Sequence, residues 1–183
     1  MNAIIHFDVA AVVLLLILLY TVISRKMTKG VPDKLFISLI LITLGSALAD
    51  TAAILLDGYA ASPEGTEALL PALYCSHSIY LILHNYTTVL YLLFIVSLTD
   101  TWHKLKNHRL LCFIFWLPIA VITLIIAVNP FTGILFYFDG LIYTRGMLFP
   151  LMYEVAALYA VAALCYLVCH RKLFTVRKMA SVV

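Results

Sequence analysis

Asp50, His77, His84 and Glu154 are ionisable residues set inside long apolar runs, a place where a charge is costly and is kept for a reason. Tyr80 and Asn85 lie beside the two histidines. His77, Tyr80 or Leu81, His84, Thr88 and Tyr91 follow the three and four residue spacing of one helix face, and Thr43, Ser46, Asp50 and Asp57 trace a comparable stripe on another. Carboxylates, imidazoles and phenols on converging faces can hold a small polar ligand or handle a proton. The other use of such groups is to satisfy one another, as an Asp50 to His84 or a Glu154 to tyrosine hydrogen bond that fixes helix register. Tyr143 and Arg145 add a phenol and a cation in a connecting segment. Arg145 can receive an anionic ligand or pair with Asp139 or Asp57.

Sharper chemistries lack their motifs. No HExxH pair offers zinc ligands, His77 and His84 share one helix instead of facing each other across a haem, and no GxSxG or Gly-rich phosphate loop occurs. No metal or cofactor is expected, and no catalytic residue is assigned. Asn85-Tyr86-Thr87 matches a glycosylation acceptor but lies within an apolar helix. Cys112, Cys165 and Cys169 lie in apolar runs and Cys75 near the start of one, so all four read as free packing residues.

The elements that must position these residues are membrane helices. Of the 183 residues 64% are hydrophobic and 11% charged, and the mean hydropathy is +1.07; a soluble core of this size cannot bury that much. Five apolar stretches are drawn over residues 4–24, 35–56, 69–98, 110–128 and 147–170. At 1.5 Å per residue each spans a hydrocarbon core of roughly 30 Å. Placing the N-terminus outside puts Arg25, Lys26, Lys29, Lys34, Lys104, Lys106, Arg109, Arg171, Lys172, Arg177 and Lys178 in the cytoplasm and only Arg145 outside. No basic residue precedes the first stretch and no small-x-small site ends it, so it reads as an uncleaved anchor. The fold class is an all-α membrane bundle of five helices, residues 1–170, followed by a basic exit segment, residues 171–183. The confinement of lysine and arginine to the joints gives nucleic-acid binding no support.

The joints carry their own signals. Gly30, Val31 and Pro32 turn one loop, Gly58 with Ser62, Pro63 and Gly65 another, and Asn129-Pro130 is read as the stop of the fourth helix. Gly45, Ala49 and Ala53 form a small-residue stripe on the second helix and Ala156 with Ala160 another on the fifth. The first and fourth helices carry little polar and read as lipid-facing all round. Between the fourth and fifth, Leu135 to Phe138 and Leu141 to Thr144 flank Asp139-Gly140, a type I′ turn dipeptide. A short extracytoplasmic β-hairpin is expected, with Phe136 facing Tyr143; the plainer reading is an interfacial loop with aromatic anchors.

The five-helix block, the Asn129-Pro130 pair, the stretch Leu135-Phe136-Tyr137-Phe138-Asp139-Gly140, the following Tyr143-Thr144-Arg145-Gly146 and the basic exit together resemble the N-terminal membrane sensor regions of bacterial GGDEF diguanylate cyclases and multi-helix histidine kinases. The resemblance implies a dimeric input module of the bacterial cytoplasmic membrane, binding a small molecule from outside or within the bilayer and moving a helix that leads to a cytoplasmic output domain. The ligand residues expected are Asp50, His77, Tyr80, His84, Asn85, Tyr143, Arg145 and Glu154, in a pocket among helices two, three and five. A small-molecule or ion transporter using the same intramembrane charges is the competing class, and a membrane-embedded enzyme the third.

Overall fold

The computed structural model describes residues 2–24, 30–99 and 109–171. They form α1 (Asn2–Ser24), α2 (Val31–Ala60), a 3-10 turn (Glu67–Leu69), α3 (Leu70–Ser97), α4 (Arg109–Thr132), the strands β1 (Phe136–Asp139) and β2 (Ile142–Arg145), and α5 (Pro150–Cys169). All five long helices contain windows long and apolar enough to cross a membrane, the composition of a multi-pass membrane protein. The basic residues Arg25, Lys26, Lys29, Lys104, Lys106, Lys172, Arg177 and Lys178, and the exit segment beyond Arg171, lie outside the described residues.

α3 is the central helix, packing on α2, α5 and α4, whereas α1 rests mainly on α2. Antiparallel packing of α2 and α3 is fixed along their length. Asp57 meets His77 at one end, Leu83 lies 3.4 Å from where a Cβ on Gly45 would sit, and Phe36 meets Phe94 at 5.3 Å between ring centroids at the other. The small-residue stripe of α2 therefore faces α3, with Ala53 only 1% exposed. On α5 the second stripe is not a seam: Ala160 is exposed, and the buried side is Met152, Val155, Tyr159 and Ala163.

α4 departs from the expected featureless span. Ile119, Ile122 and Ile126 form a fully buried ridge, and the Tyr159 hydroxyl of α5 donates to the Phe115 carbonyl at 2.6 Å. That bond lies one residue from Ile114, whose carbonyl Pro118 cannot serve. The helix also passes through Asn129-Pro130 instead of stopping there, since a proline in the last turn costs few hydrogen bonds. It ends at Gly133, which takes φ +62° and returns its N–H to the Asn129 carbonyl at 2.8 Å.

α2 is longer than expected at both ends. Asp33 accepts the Gly30 N–H at 3.0 Å and Pro32 occupies the first turn, so the helix starts at Val31 and runs on through Gly58. The hairpin forms, but in a shifted register. Asp139 pairs with Ile142 and Phe138 with Tyr143, which makes Gly140-Leu141 the two-residue turn and gives Phe136 Arg145 as its partner instead of Tyr143. Gly140, with φ +62°, holds the first central position, where the primed hairpin turns require a positive φ. The shift moves each partner by two residues, so Phe136, Phe138 and Tyr143 still share a face.

The cysteines are free, and Cys75, Cys165 and Cys169 are exposed on the bundle surface instead of packed within it; Cys112 is half-buried. Charge is polarised along the bundle. Asp8, Asp50, Asp57, Glu64, Glu67, Asp139, Glu154 and Arg145 lie toward the hairpin end, while Lys34 with its neighbour Asp33 in the first turn of α2, Arg109 at the start of α4 and Arg171 after α5 lie at the other.

Candidate functional site

The hairpin is seated by α4. Asn129, fully buried in the last turn, accepts the Leu135 N–H at 2.7 Å and the Phe136 N–H at 3.3 Å through Oδ1, and donates from Nδ2 to the Phe136 carbonyl at 2.9 Å. One amide side chain thus completes the backbone pairing that β1 lacks at its start. Gly146 closes the other strand. Its N–H donates to the Leu135 carbonyl at 2.7 Å, and a Cβ there would stand 2.2 Å from the Ile134 carbonyl oxygen. The hairpin base is a tight backbone crossing that only glycine permits.

Seated this way, the hairpin lays its aromatic face over the end of α3. The Tyr143 ring stacks on the His77 imidazole at 4.5 Å and 21°, and the Phe136 and Phe138 rings each lie 5.7 Å from it. Tyr74, one turn before His77 on α3, packs on Phe138 at 4.9 Å and on Phe136 at 5.7 Å. The imidazole is held from below as well: Nε2–H donates to Asp57 Oδ1 of α2 at 3.1 Å. His77 therefore joins α2, α3 and the hairpin at one point, a ring enclosed by aromatic faces with a carboxylate at its edge.

A second polar group extends from it along the span. Asp50 of α2 lies within electrostatic range of His77, His84 and Asp8 of α1, and Tyr80 within range of Asp50, Asp8 and Tyr153 of α5. The Tyr80 and His84 rings are 5.7 Å apart. Asp8 Oδ2 is shielded from solvent and has no hydrogen-bond partner among the described residues. In the hairpin, burial pushes the Tyr143 phenol up to about 12, against the opposing pull of Arg145.

The expected ligand residues separate into three places. Asp50, His77, Tyr80, His84 and Tyr143 are brought together, with His84 exposed at the edge of the group. Asn85 lies elsewhere, 1% exposed between α3 and α5, where Nδ2 donates to the Leu81 carbonyl at 3.0 Å and contacts Met152 Sδ at 3.9 Å, leaving Oδ1 without a partner among the described residues. Glu154 is exposed on α5, and the group approaches α5 through Tyr153 instead. Arg145 pairs with neither Asp139 nor Asp57; its guanidinium lies 4.8 Å over the Phe149 ring. Phe136, Phe138, Tyr74, Asp8 and Asn129 are the members that sequence reading left out of the site. The aromatic alternation of residues 136–143 carries a signal for the first two; nothing in local sequence marks Asn129 as a clamp.

Among the described residues no three His, Cys, Asp or Glu side chains gather as a metal site. A depression of about 530 Å³ lined by Ile54, Leu55, Gly58, Tyr59 and Glu64 lies along the end of α2, about a third of a turn around that helix from Asp50 and Asp57. In comparisons with known proteins, no family model, curated protein or solved structure matches this chain.

Proposed function

We propose that this chain is a sensory input module of a bacterial cytoplasmic membrane, with its N-terminus and hairpin outside and its exit segment in the cytoplasm. The observation that carries the reading is the enclosure of His77 by the hairpin while Asp57 holds its Nε2. A ligand that draws on Tyr143, His77 or Asp57 from the hairpin side changes how α2 and the hairpin grip α3. α3 is in turn tied to α5 by Asn85 to Met152, and the turn that follows α3 by the hydroxyls of Thr99 and Tyr166. α5 leads into the basic exit, so a shift of α3 has a route toward an output domain such as a cyclase or kinase. Signalling further requires that the ligand bind two helix arrangements unequally. The charge polarity of the bundle supports the orientation, since basic ends stay cytoplasmic.

Binding of a metabolite library, read as thermal shift on the purified chain with His77→Ala, Tyr143→Ala and Glu154→Ala beside it, tests the reading. Ligand shifts lost in the first two and kept in the third are expected; shifts that survive both site changes reject it. A transporter is the second reading, favoured by the unpartnered Asp8 Oδ2 near Asp50 within the spans. Substrate accumulation in reconstituted vesicles selects the transporter over the sensor.

A further inference from the structure

Glu154 faces away from the bundle that carries it. At 3.6 residues per turn it lies about 150° around α5 from the side formed by Met152, Val155, Tyr159 and Ala163. Its exposed neighbours are apolar: Ala157, Leu158, Val161, Leu164 and Val168. Lipid tails can cover those side chains but not a carboxylate set roughly 6 Å below the start of a membrane-spanning helix. A cation beside it would offset that cost, and of the lysines and arginines only Arg145 falls, in sequence, near that end. Arg145 is exposed beside Phe149, and neither it nor Glu154 makes an ion pair among the described residues. Every other lysine and arginine falls, in sequence, between α1 and the first turn of α2, between α3 and the start of α4, or after α5.

Phe149, which carries the Arg145 guanidinium, and Glu154 are about 140° apart around α5, so the two charges cannot meet within one chain. Midway between them the helix presents Ala157, Ala160 and Leu164, all exposed, two of them small enough for close helix approach. A two-fold axis parallel to α5 through this strip turns the Arg145 flank of one copy toward the Glu154 flank of the other. Both pairs then close at once, which is the mark of an isologous contact. We infer that α5 docks through Ala157, Ala160 and Leu164 on α5 of a second copy, with reciprocal Arg145 to Glu154 pairs at the hairpin end. The contact gives the pairing of chains a specific face, and it stands apart from the ligand reading, since a monomer can bind ligand undiminished.

The test uses the full chain in lipid vesicles at low protein density, with Cys75, Cys112, Cys165 and Cys169 replaced by alanine and one cysteine introduced for oxidative crosslinking. Ala157→Cys should yield crosslinked dimer, and Ile79→Cys, on an exposed position of α3, should not. Glu154→Arg and Arg145→Glu should each remove most of the Ala157→Cys dimer, and the two together should restore it. Crosslinking at Ala157→Cys no greater than at Ile79→Cys, or indifferent to both reversals, or unrestored by the double change, overturns the proposal. If the reversals do not fold, Glu154→Gln carries the test, with a lower dimer fraction by single-molecule photobleaching expected and an unchanged one overturning it.

Discussion

Tyr143 of β2 lies flat against His77 of α3, their ring centroids 4.5 Å apart, so the hairpin and the central helix share one aromatic contact. Because Asp57 holds the far edge of the same imidazole, loosening the stack also frees the hydrogen bond to reorient. The hairpin and α2 are thereby coupled through a single side chain.

Removing Tyr143 should uncouple them without unfolding the helices. Tyr143→Ala is expected to cost roughly 2 kcal/mol, through lost stacking and lost burial of a half-buried ring, and to raise amide exchange across residues 136–145 while far-UV dichroism stays unchanged. Tyr143→Phe keeps the ring and should keep most of the protection.

Asn129 should be less replaceable than its place after an apolar run implies. Asn129→Ala leaves the buried N–H groups of Leu135 and Phe136 without their acceptor, a loss of about 2–6 kcal/mol at roughly 1–3 kcal/mol per orphaned group. A thermal melt in detergent reads it, and Asn129→Asp, which keeps the acceptor but loses the donor, should fall short of rescue.

The two glycines of the hairpin should respond differently to a methyl group. Gly146→Ala drives a Cβ into the Ile134 carbonyl and is expected to disorder the hairpin base. Gly140→Ala meets open space and pays only for its positive φ, about 1–2 kcal/mol. Exchange protection of Leu135 and Phe136 should collapse in the first variant and survive in the second.

The Tyr143 phenol sets an alkaline limit on hairpin docking. Its folded value near 12 lies above the ordinary phenol value, because burial penalises the phenolate. The protonated ring's contribution is therefore complete below about pH 10 and is lost as pH climbs toward 12. A phenolate absorbance titration of the wild type minus Tyr143→Phe should give a difference curve centred near 12; a curve centred near 10 would contradict burial of this ring.

Asn85 buries an acceptor that no group among the described residues satisfies. Asn85→Leu is expected to leave stability unchanged or raise it slightly, since it removes that orphan along with two modest bonds. Asn85→Asp should destabilise by about 3 kcal/mol or more by burying an unpaired charge between α3 and α5. Denaturation midpoints of the pair decide it.

The five spans, the hairpin and the polar stripe of α3 were legible because helix and strand periods act on neighbours in sequence. Seven residues separate Asp50 from Asp57, and both were readable as one face of α2. The hairpin register was not, because a two-residue shift leaves the same side chains on each face, and the choice was made by Asn129 and Gly146 gripping the backbone. Glu154 was misplaced for a different reason. Depth follows from counting residues, but which side of a helix meets the bundle depends on the packing of Met152, Val155 and Tyr159 against α3 and α4. Asp8 is hidden in the sequence by the aliphatic run that follows it; its electrostatic reach to Asp50 is a property of α1 lying on α2.

That lodging of α1 bears on what the rest of the bundle needs from it. Val22 is its one buried side chain among those described, so α1 is the helix that shares least with the interior of the bundle. α2, α4 and α5 all pack on α3 without its help. A chain trimmed of α1 would keep those four helices together and lose the Asp8 charge from the surroundings of Asp50, so the polar group would carry one carboxylate fewer.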